Sequence, residues 1–267
     1  MNLSRLWLPI DTLGQRTIEG LTYLKNLVLF FSFALTLLIQ NRHHGRRLIL
    51  REVISQIYFT GVNALPFMSV IGLVLGFVTI AQYRWNPLLN SGTELMGEIF
   101  HIVILREFGP LVTAYLIIGR SGTALAAHIG DMRISHQIDA LEAMGISPLH
   151  LLIAPRILGG MISMTCLSLY VALMAMVGGM FISGLSFFSY FGTMFRSLSS
   201  FDLLILLFKS LLFGMVIPVI ACYHGWRVQY ASTEVPQQAS LGVVNCMGFI
   251  FIINGTITAA LLYRYWG

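Results

Sequence analysis

His128-Ile-Gly-Asp131-Met-Arg133-Ile-Ser-His136-Gln-Ile-Asp139-Ala-Leu-Glu142-Ala-Met-Gly145-Ile-Ser-Pro148-Leu-His150 is a polar stretch set between two strongly apolar ones. It holds three of the chain's eleven acidic residues. Ile134, Ile138 and Leu141 are spaced four and three apart, which puts them on one face of a helix. Asp131, Ser135, Asp139 and Glu142 recur at the same spacing on another face. Gly145 followed by Pro148 predicts the helix stop. Two readings fit this pattern: a solvated connector between membrane spans, or a docking helix gripped by a cytoplasmic partner. Composition does not separate them.

Working outward, the apolar flanks decide the fold class. The 267 residues are 57% hydrophobic and 10% charged, with a mean hydropathy of +0.80. A soluble domain carries about a quarter charged residues, so the composition predicts a polytopic membrane protein. A bilayer core requires roughly 20 apolar residues per helix. Five stretches meet this, at about 62–82, 99–127, 151–183, 203–223 and 240–263, with the polar helix at 131–145 between the second and third. The fold predicted is an all-α integral membrane protein. The first span contains Gly72-x-x-x-Gly76, a close-packing motif that is weak evidence when alone.

Upstream, residues 1–20 set Leu3, Leu6, Trp7, Ile10 and Leu13 among charges, the pattern of a helix lying in the membrane interface. Residues 21–40 are apolar but contain Lys25, Asn26 and Gln40, and hydropathy leaves open whether they cross. The densest basic cluster follows at Arg42, His43, His44, Arg46 and Arg47, and residues 48–61 read as an amphipathic lead-in. No cleavable leader is expected, because the apolar run from Leu21 is too long and lacks a small-x-small site. No lipidation motif is visible at either end.

Charge sets the orientation. Five spans from an inside start leave Arg42, Arg46, Arg47, Arg51, Arg133, Arg156 and Arg227 on inner segments, against Arg84, Arg196 and Arg264 outside. Residues 83–98 and 184–200 then read as outer loops, 224–238 as an inner loop, and Tyr263-Arg264-Tyr265-Trp266 as an interfacial anchor. The net charge of +5 reads as loop arginines facing anionic lipid, which argues against nucleic-acid binding.

The motifs of common catalysis are missing. Lys25 and Lys209 are the only lysines, and neither ends an ATP-binding loop. No metalloprotease pair and no Gly-x-Ser-x-Gly occurs. Cys166, Cys222 and Cys246 sit in apolar runs without metal spacing and read as packing residues. No cofactor or metal is expected. Gly119, Gly122, Ala126 and Ala127 are read as permitting close helix packing, with Arg120 reaching toward the inner interface or the polar helix.

The informative residues are charges inside spans. Arg106 and Glu107 precede Gly109-Pro110, an expected kink, in the outer half of the second span. Lys209 lies about two turns in from Asp202 in the fourth, and Asn254 in the fifth. A charge at the bilayer centre costs at least ~2.5 kcal/mol, so such groups face a cavity or each other. One reading has Arg106 and Glu107 snorkel outward or neutralise one another. The other collects Arg106, Glu107, Lys209 and Asn254 into an outward polar chamber suited to a phosphate-bearing headgroup. Asn254-Gly-Thr256 is formally a glycosylation sequon, but inside a span it is out of reach.

An ordered run of motifs now stands out: Leu105-Arg106-Glu107-Phe108-Gly109-Pro110-Leu111-Val112-Thr113-Ala114, then Gly119-Arg120-Ser121-Gly122, Ile129-Gly130-Asp131-Met132-Arg133, Gln137-Ile138-Asp139-Ala140-Leu141-Glu142-Ala143-Met144-Gly145, Pro148 and Pro155-Arg156. Together with Gln56-Ile57-Tyr58-Phe59-Thr60-Gly61 it resembles the MlaE/YrbE permease family, from about residue 50 to the end. The resemblance implies the non-catalytic permease subunit of an ABC-type transporter that moves phospholipid. It implies a homodimer in the bacterial inner membrane, two cytoplasmic ABC ATPase subunits, a periplasmic ring of MCE-domain proteins, and lipid held between the two permeases. The family fold has five spans preceded by interfacial helices, here residues 1–61, which argues against a full crossing at 21–40.

In the family the helix between the second and third spans is the coupling helix, which here makes Asp131, Arg133, Gln137, Asp139 and Glu142 the expected ATPase-coupling residues. Two positions depart from the family: His128 stands where Glu is frequent, and Asn254 where some members carry Asp. A stand-alone secondary lipid transporter or scramblase is the alternative, and it would need no ATPase. Direction of transport and lipid identity stay open at this level.

Overall fold

The computed structural model describes residues 46–85, 93–229 and 231–266, together with five positions between 22 and 32. The expected interfacial helix at 1–20, most of 21–40, the start of the basic cluster and residues 86–92 of the first outer loop lie outside the described residues. Among the described residues every regular element is a helix.

α1 (Arg46–Thr60) passes through one 3-10 turn, Val62–Ala64, into α2 (Leu65–Trp85). The second crossing is composite: α3 (Thr93–Phe100), a π-helical segment His101–Phe108, α4 (Gly109–Ile117), a second π-helical segment Ile118–Gly122, and α5 (Thr123–Ile134). Short α6 (Gln137–Ala143) follows, then a π-helical turn, Leu149–Ile153, into α7 (Ala154–Ser183). α8 (Phe187–Ser197), α9 (Ser200–Trp226) and α10 (Glu234–Trp266) complete the chain. Among the described residues, five helical stretches are long and apolar enough to cross a bilayer: Ile49–Trp85, Leu95–Ile134, Leu151–Ser183, Ser200–Trp226 and Glu234–Tyr263. The protein is a multi-pass membrane protein. The helices overrun the apolar segments because hydropathy marks only the lipid-facing length, while hydrogen bonding continues past it.

Glycine contacts set the directions of the crossings. A Cβ on Gly159 would meet Gln56, one on Gly61 would meet Ser163, and one on Gly72 would meet Met174. The numbers rise together, so the first and third crossings run parallel. Gly160 and Gly214 approach each other at α7 and α9 with numbers running oppositely, so those two are antiparallel. At Gly76 and Gly178 an added Cβ would overlap the backbone oxygens of Ala175 and Leu73, so α2 and α7 touch main chain to main chain. Gly119 is different. It is exposed with nothing within 4 Å of its Cβ position, so the packing role expected of it is not seen, whereas Ala126 does pack against Gly225. Arg120 stands over the Phe59 ring at 5.8 Å instead of reaching the polar helix.

Three buried clusters lie along the bundle. One gathers Ile80, Phe100, Ile104, Tyr190 and Leu206; the middle one Met68, Ala114, Met164, Phe213 and Ile250; the third Ile129, Ile138, Ile153, Ile157 and Cys222. Outward, α2 leaves Phe67, Val70 and Val74 exposed and α10 leaves Phe251 and Ile252 exposed, an apolar girdle that acyl chains or a neighbour must cover. Of the cysteines, Cys222 and Cys246 are buried, as expected of packing residues, but Cys166 is exposed.

The polar stretch 131–145 departs from one continuous helix. α5 runs on to Ile134, and the chain then turns at His136, the one described non-glycine residue with positive φ (55°), before α6 begins. Asp131 and Arg133 therefore belong to the end of the second crossing, while Gln137, Asp139 and Glu142 belong to α6. Helical periodicity across residues 131–142 hid the break because a single left-handed residue leaves the spacing on both sides intact. The predicted stop is present: Gly145 (φ 72°) donates to Glu142 O at 2.9 Å and Ile146 to Leu141 O at 3.0 Å, a Schellman closure. Gly145→Ala is expected to cost about 1–2 kcal/mol, since a Cβ is disfavoured in this conformation. Faster amide hydrogen exchange across 137–144 would register it; unchanged exchange would refute it.

Candidate functional site

The site begins with a proline. Pro110 has no N–H, so the carbonyl four residues earlier, Arg106 O, loses its α-helical partner in the membrane. The helix widens just before it: Gly109 donates five residues back to Ile104 O, a π-type bond, and Pro110 falls in the first turn of α4. Lys209 Nζ of α9 donates to the freed Arg106 O at 2.7 Å. The expected kink is thus a change of helix type, with a lysine completing the backbone.

Lys209 is fully buried, and its three protons are all used. Besides Arg106 O, it donates to Glu107 Oε1 at 3.0 Å and to Thr258 Oγ1 at 3.1 Å. Thr258 donates on to Glu107 Oε1 at 2.8 Å, and Asn254 Nδ2 donates to Glu107 Oε2 at 3.0 Å. One carboxylate from the second crossing is held by donors from the fourth and fifth. Asn254 Oδ1 is buried without a hydrogen-bond partner among the described residues. Alongside, Arg106 Nε donates to Asp202 Oδ1, and its guanidinium lies 5.9 Å from the Phe201 ring centroid.

The four residues expected to form a chamber fall into two roles. Glu107, Lys209 and Asn254 meet in one knot, and Arg106 pairs with Asp202 beside it. Lys209, as placed, has no proton left to offer a ligand. The groups that reach the surface are Glu107 and Arg106, with side chains 27% and 18% exposed. Asp202 and Thr258 were not singled out in the sequence. The signals were available: Asp202 lies seven residues before Lys209 and Thr258 four after Asn254, each on the same helical face as its partner.

At the other end of the bundle, α6 is anchored by Ile138, which is fully buried. Asp131, Gln137, Asp139 and Glu142 are exposed, as are Met144 and Ile146. The bend between α5 and α6 is tied by Asp139: Arg133 Nη1 donates to its Oδ1 at 3.0 Å and His136 Nδ1 to its Oδ2 at 2.8 Å. Arg133 also lies 5.7 Å from the Trp226 ring centroid. The hydrogen bond from His136, and then the charge of Arg133, hold the Asp139 carboxyl below its ordinary value of 3.8. A carboxyl lowered in the folded state stabilises the bend above its ordinary value, and that support is lost as the pH falls through the lower folded value. Asp139→Asn is expected to remove this acid dependence and to loosen α6 at neutral pH. Hydrogen exchange of 137–144 from pH 7 to pH 3 would check both, and an unaltered profile would count against the tie.

Residues 53–260 match the family described as Permease MlaE. The intermembrane phospholipid transport system permease protein MlaE of Haemophilus influenzae is 31% identical over 214 residues, covering 78% of this chain and 82% of that protein. A probable ABC transporter permease protein of Synechocystis is 32% identical over 212 residues, 76% of this chain and 79% of that one. Another, from Rickettsia felis, is 29% identical over 252 residues, 93% and 95% of the two chains.

Proposed function

The chain belongs to the MlaE permease family, and from that premise we propose that it is the membrane subunit of an ATP-driven ABC transporter for phospholipid. It works as a homodimer in the bacterial inner membrane, exchanging lipid with a periplasmic ring of MCE-domain protein. Two cytoplasmic ABC ATPases supply the energy, and the permease itself catalyses nothing. The name of the Haemophilus relative supports the lipid class, and the names of the Synechocystis and Rickettsia relatives support the ABC assembly.

The observation that carries the reading is the knot around Glu107. Three crossings spend charged and amide groups on it inside an apolar bundle, where each would be expensive alone. In this proposal Arg106 and Glu107 form the exposed rim that meets a lipid headgroup, and Lys209, Asn254 and Thr258 position Glu107. The exposed residues of the opposite end, Asp131, Gln137, Asp139 and Glu142 with Met144 and Ile146, together with half-buried Arg133, form the surface on which the ATPase pushes. Because α6 hangs on Ile138 and one hinge at His136, a push there is delivered to α5 and so to the second crossing. That crossing carries Arg106 and Glu107.

The test is reconstitution. The chain, expressed with an ABC ATPase subunit from the same organism, is expected to co-purify with it and to move labelled phospholipid only when ATP is hydrolysed. Charge reversal at Asp139 and Glu142 is expected to release the ATPase while leaving the dimer intact. Lipid movement by the purified chain alone, without ATP, would overturn the proposal.

A further inference from the structure

We propose a second lipid site at the α6 end of the bundle, remote from the Glu107 knot and independent of its function. A cavity of about 460 Å³ lies between α1, α5 and the start of α7. Glu52, Gln56 and Phe59 line it from successive turns of α1, Leu125 and His128 from α5, and Arg156 from α7.

Its chemistry is divided. Arg156 Nη2 lies 3.1 Å from His128 Nδ1. A guanidinium only donates, so Nδ1 accepts and the neutral imidazole keeps its proton on Nε2. A fixed cation and an N–H donor thus stand side by side, the pairing that a phosphate takes. Glu52 lines the same cavity, yet among the described residues no ion pair joins it to Arg156. Opposite charges therefore face the same cavity without pairing. Phe59 and Leu125 supply apolar walls, and Arg120 over the Phe59 ring adds a second cation beside them. Ile54 and Tyr58, exposed on the same helix, place the cavity at the boundary of the acyl phase.

A soluble anion would use the arginine and waste the apolar walls. The occupant that uses every wall is a zwitterionic phospholipid with a primary amine: phosphate on Arg156 and His128, amine on Glu52, chain along Phe59 and Leu125. Such a lipid would wedge α1 against α5, about two helix turns from the hinge that carries α6.

The experiment is photocrosslinking of the full chain in native membranes. Phe59→p-benzoyl-phenylalanine reports on this cavity and Phe108→p-benzoyl-phenylalanine, beside Glu107, on the other end; lipid adducts are identified by mass spectrometry. At position 59, phosphatidylethanolamine is expected to be enriched over phosphatidylglycerol relative to the surrounding membrane. Arg156→Gln and Glu52→Gln are each expected to lower that adduct about tenfold, one charged hydrogen bond's worth, with adducts at 108 unchanged. Loss at both positions would mark a folding defect in Arg156→Gln, and exposed Glu52 then carries the test. Adducts that mirror bulk lipid and ignore both variants would overturn the proposal. So would loss of the adduct on adding inorganic phosphate, which would assign the site to a free anion.

Discussion

Lys209→Ala is expected to destabilise the protein by about 3–5 kcal/mol, the usual cost of removing one partner from a buried ion pair, and to abolish transport. Three acceptors converge on Nζ: Arg106 O, Glu107 Oε1 and Thr258 Oγ1. Alanine would leave a carboxylate without its cation and a carbonyl that Pro110 has already deprived of its helical donor. The carbonyl cannot turn to water inside the bundle, and the partly exposed Glu107 would be left with Thr258 and Asn254 alone as donors. Lys209→Met combined with Glu107→Gln removes both charges at similar volume and is expected to recover most of the stability but not transport. Chemical unfolding in detergent reads the first effect and lipid movement by the reconstituted complex reads the second. A Lys209→Ala protein as stable as the wild type would mean that the knot is open to water and that this account of it is wrong.

Gly76→Leu is expected to cost about 3 kcal/mol, at the upper end for overpacking. A Cβ at Gly76 would overlap Ala175 O, and one at Gly178 would overlap Leu73 O. The obstacle on each side is main chain, which cannot rotate away as a side chain does. Two consequences distinguish this from ordinary crowding. Ala175→Gly is expected not to rescue Gly76→Leu, since the blocking atom remains. Gly119→Ala, with nothing within 4 Å, is expected to leave stability level or to raise it by up to about 1 kcal/mol through helix propensity. Rescue by Ala175→Gly, read as recovered unfolding midpoint, would show that the contact is looser than the helices indicate.

Much of the architecture could be read without coordinates. Hydropathy is a property of consecutive residues, so the five apolar spans between residues 62 and 263 and their order followed from composition along the chain. Gly72-x-x-x-Gly76 pointed at a close contact, and the helix stop at Gly145 needed only local backbone chemistry. What escaped was of another kind. The break at His136 was masked because one left-handed residue does not disturb the i, i+4 pattern around it. Thr258 and Asp202 were ordinary residues in their own helices and acquired meaning only when Lys209 and Arg106 arrived from elsewhere.

The amino-acid sequence alone determined that the described residues hold five stretches apolar enough to cross a membrane, which of the chain's segments are polar, and which family it resembles, because each depends on local composition or ordered motifs. The tertiary structure alone decided which charge meets which. Arg106 and Glu107 are adjacent in the chain but take different partners, Asp202 for one and Lys209, Asn254 and Thr258 for the other. Helix rotation sets that division, and rotation is settled by packing between glycine-lined crossings that are distant in sequence.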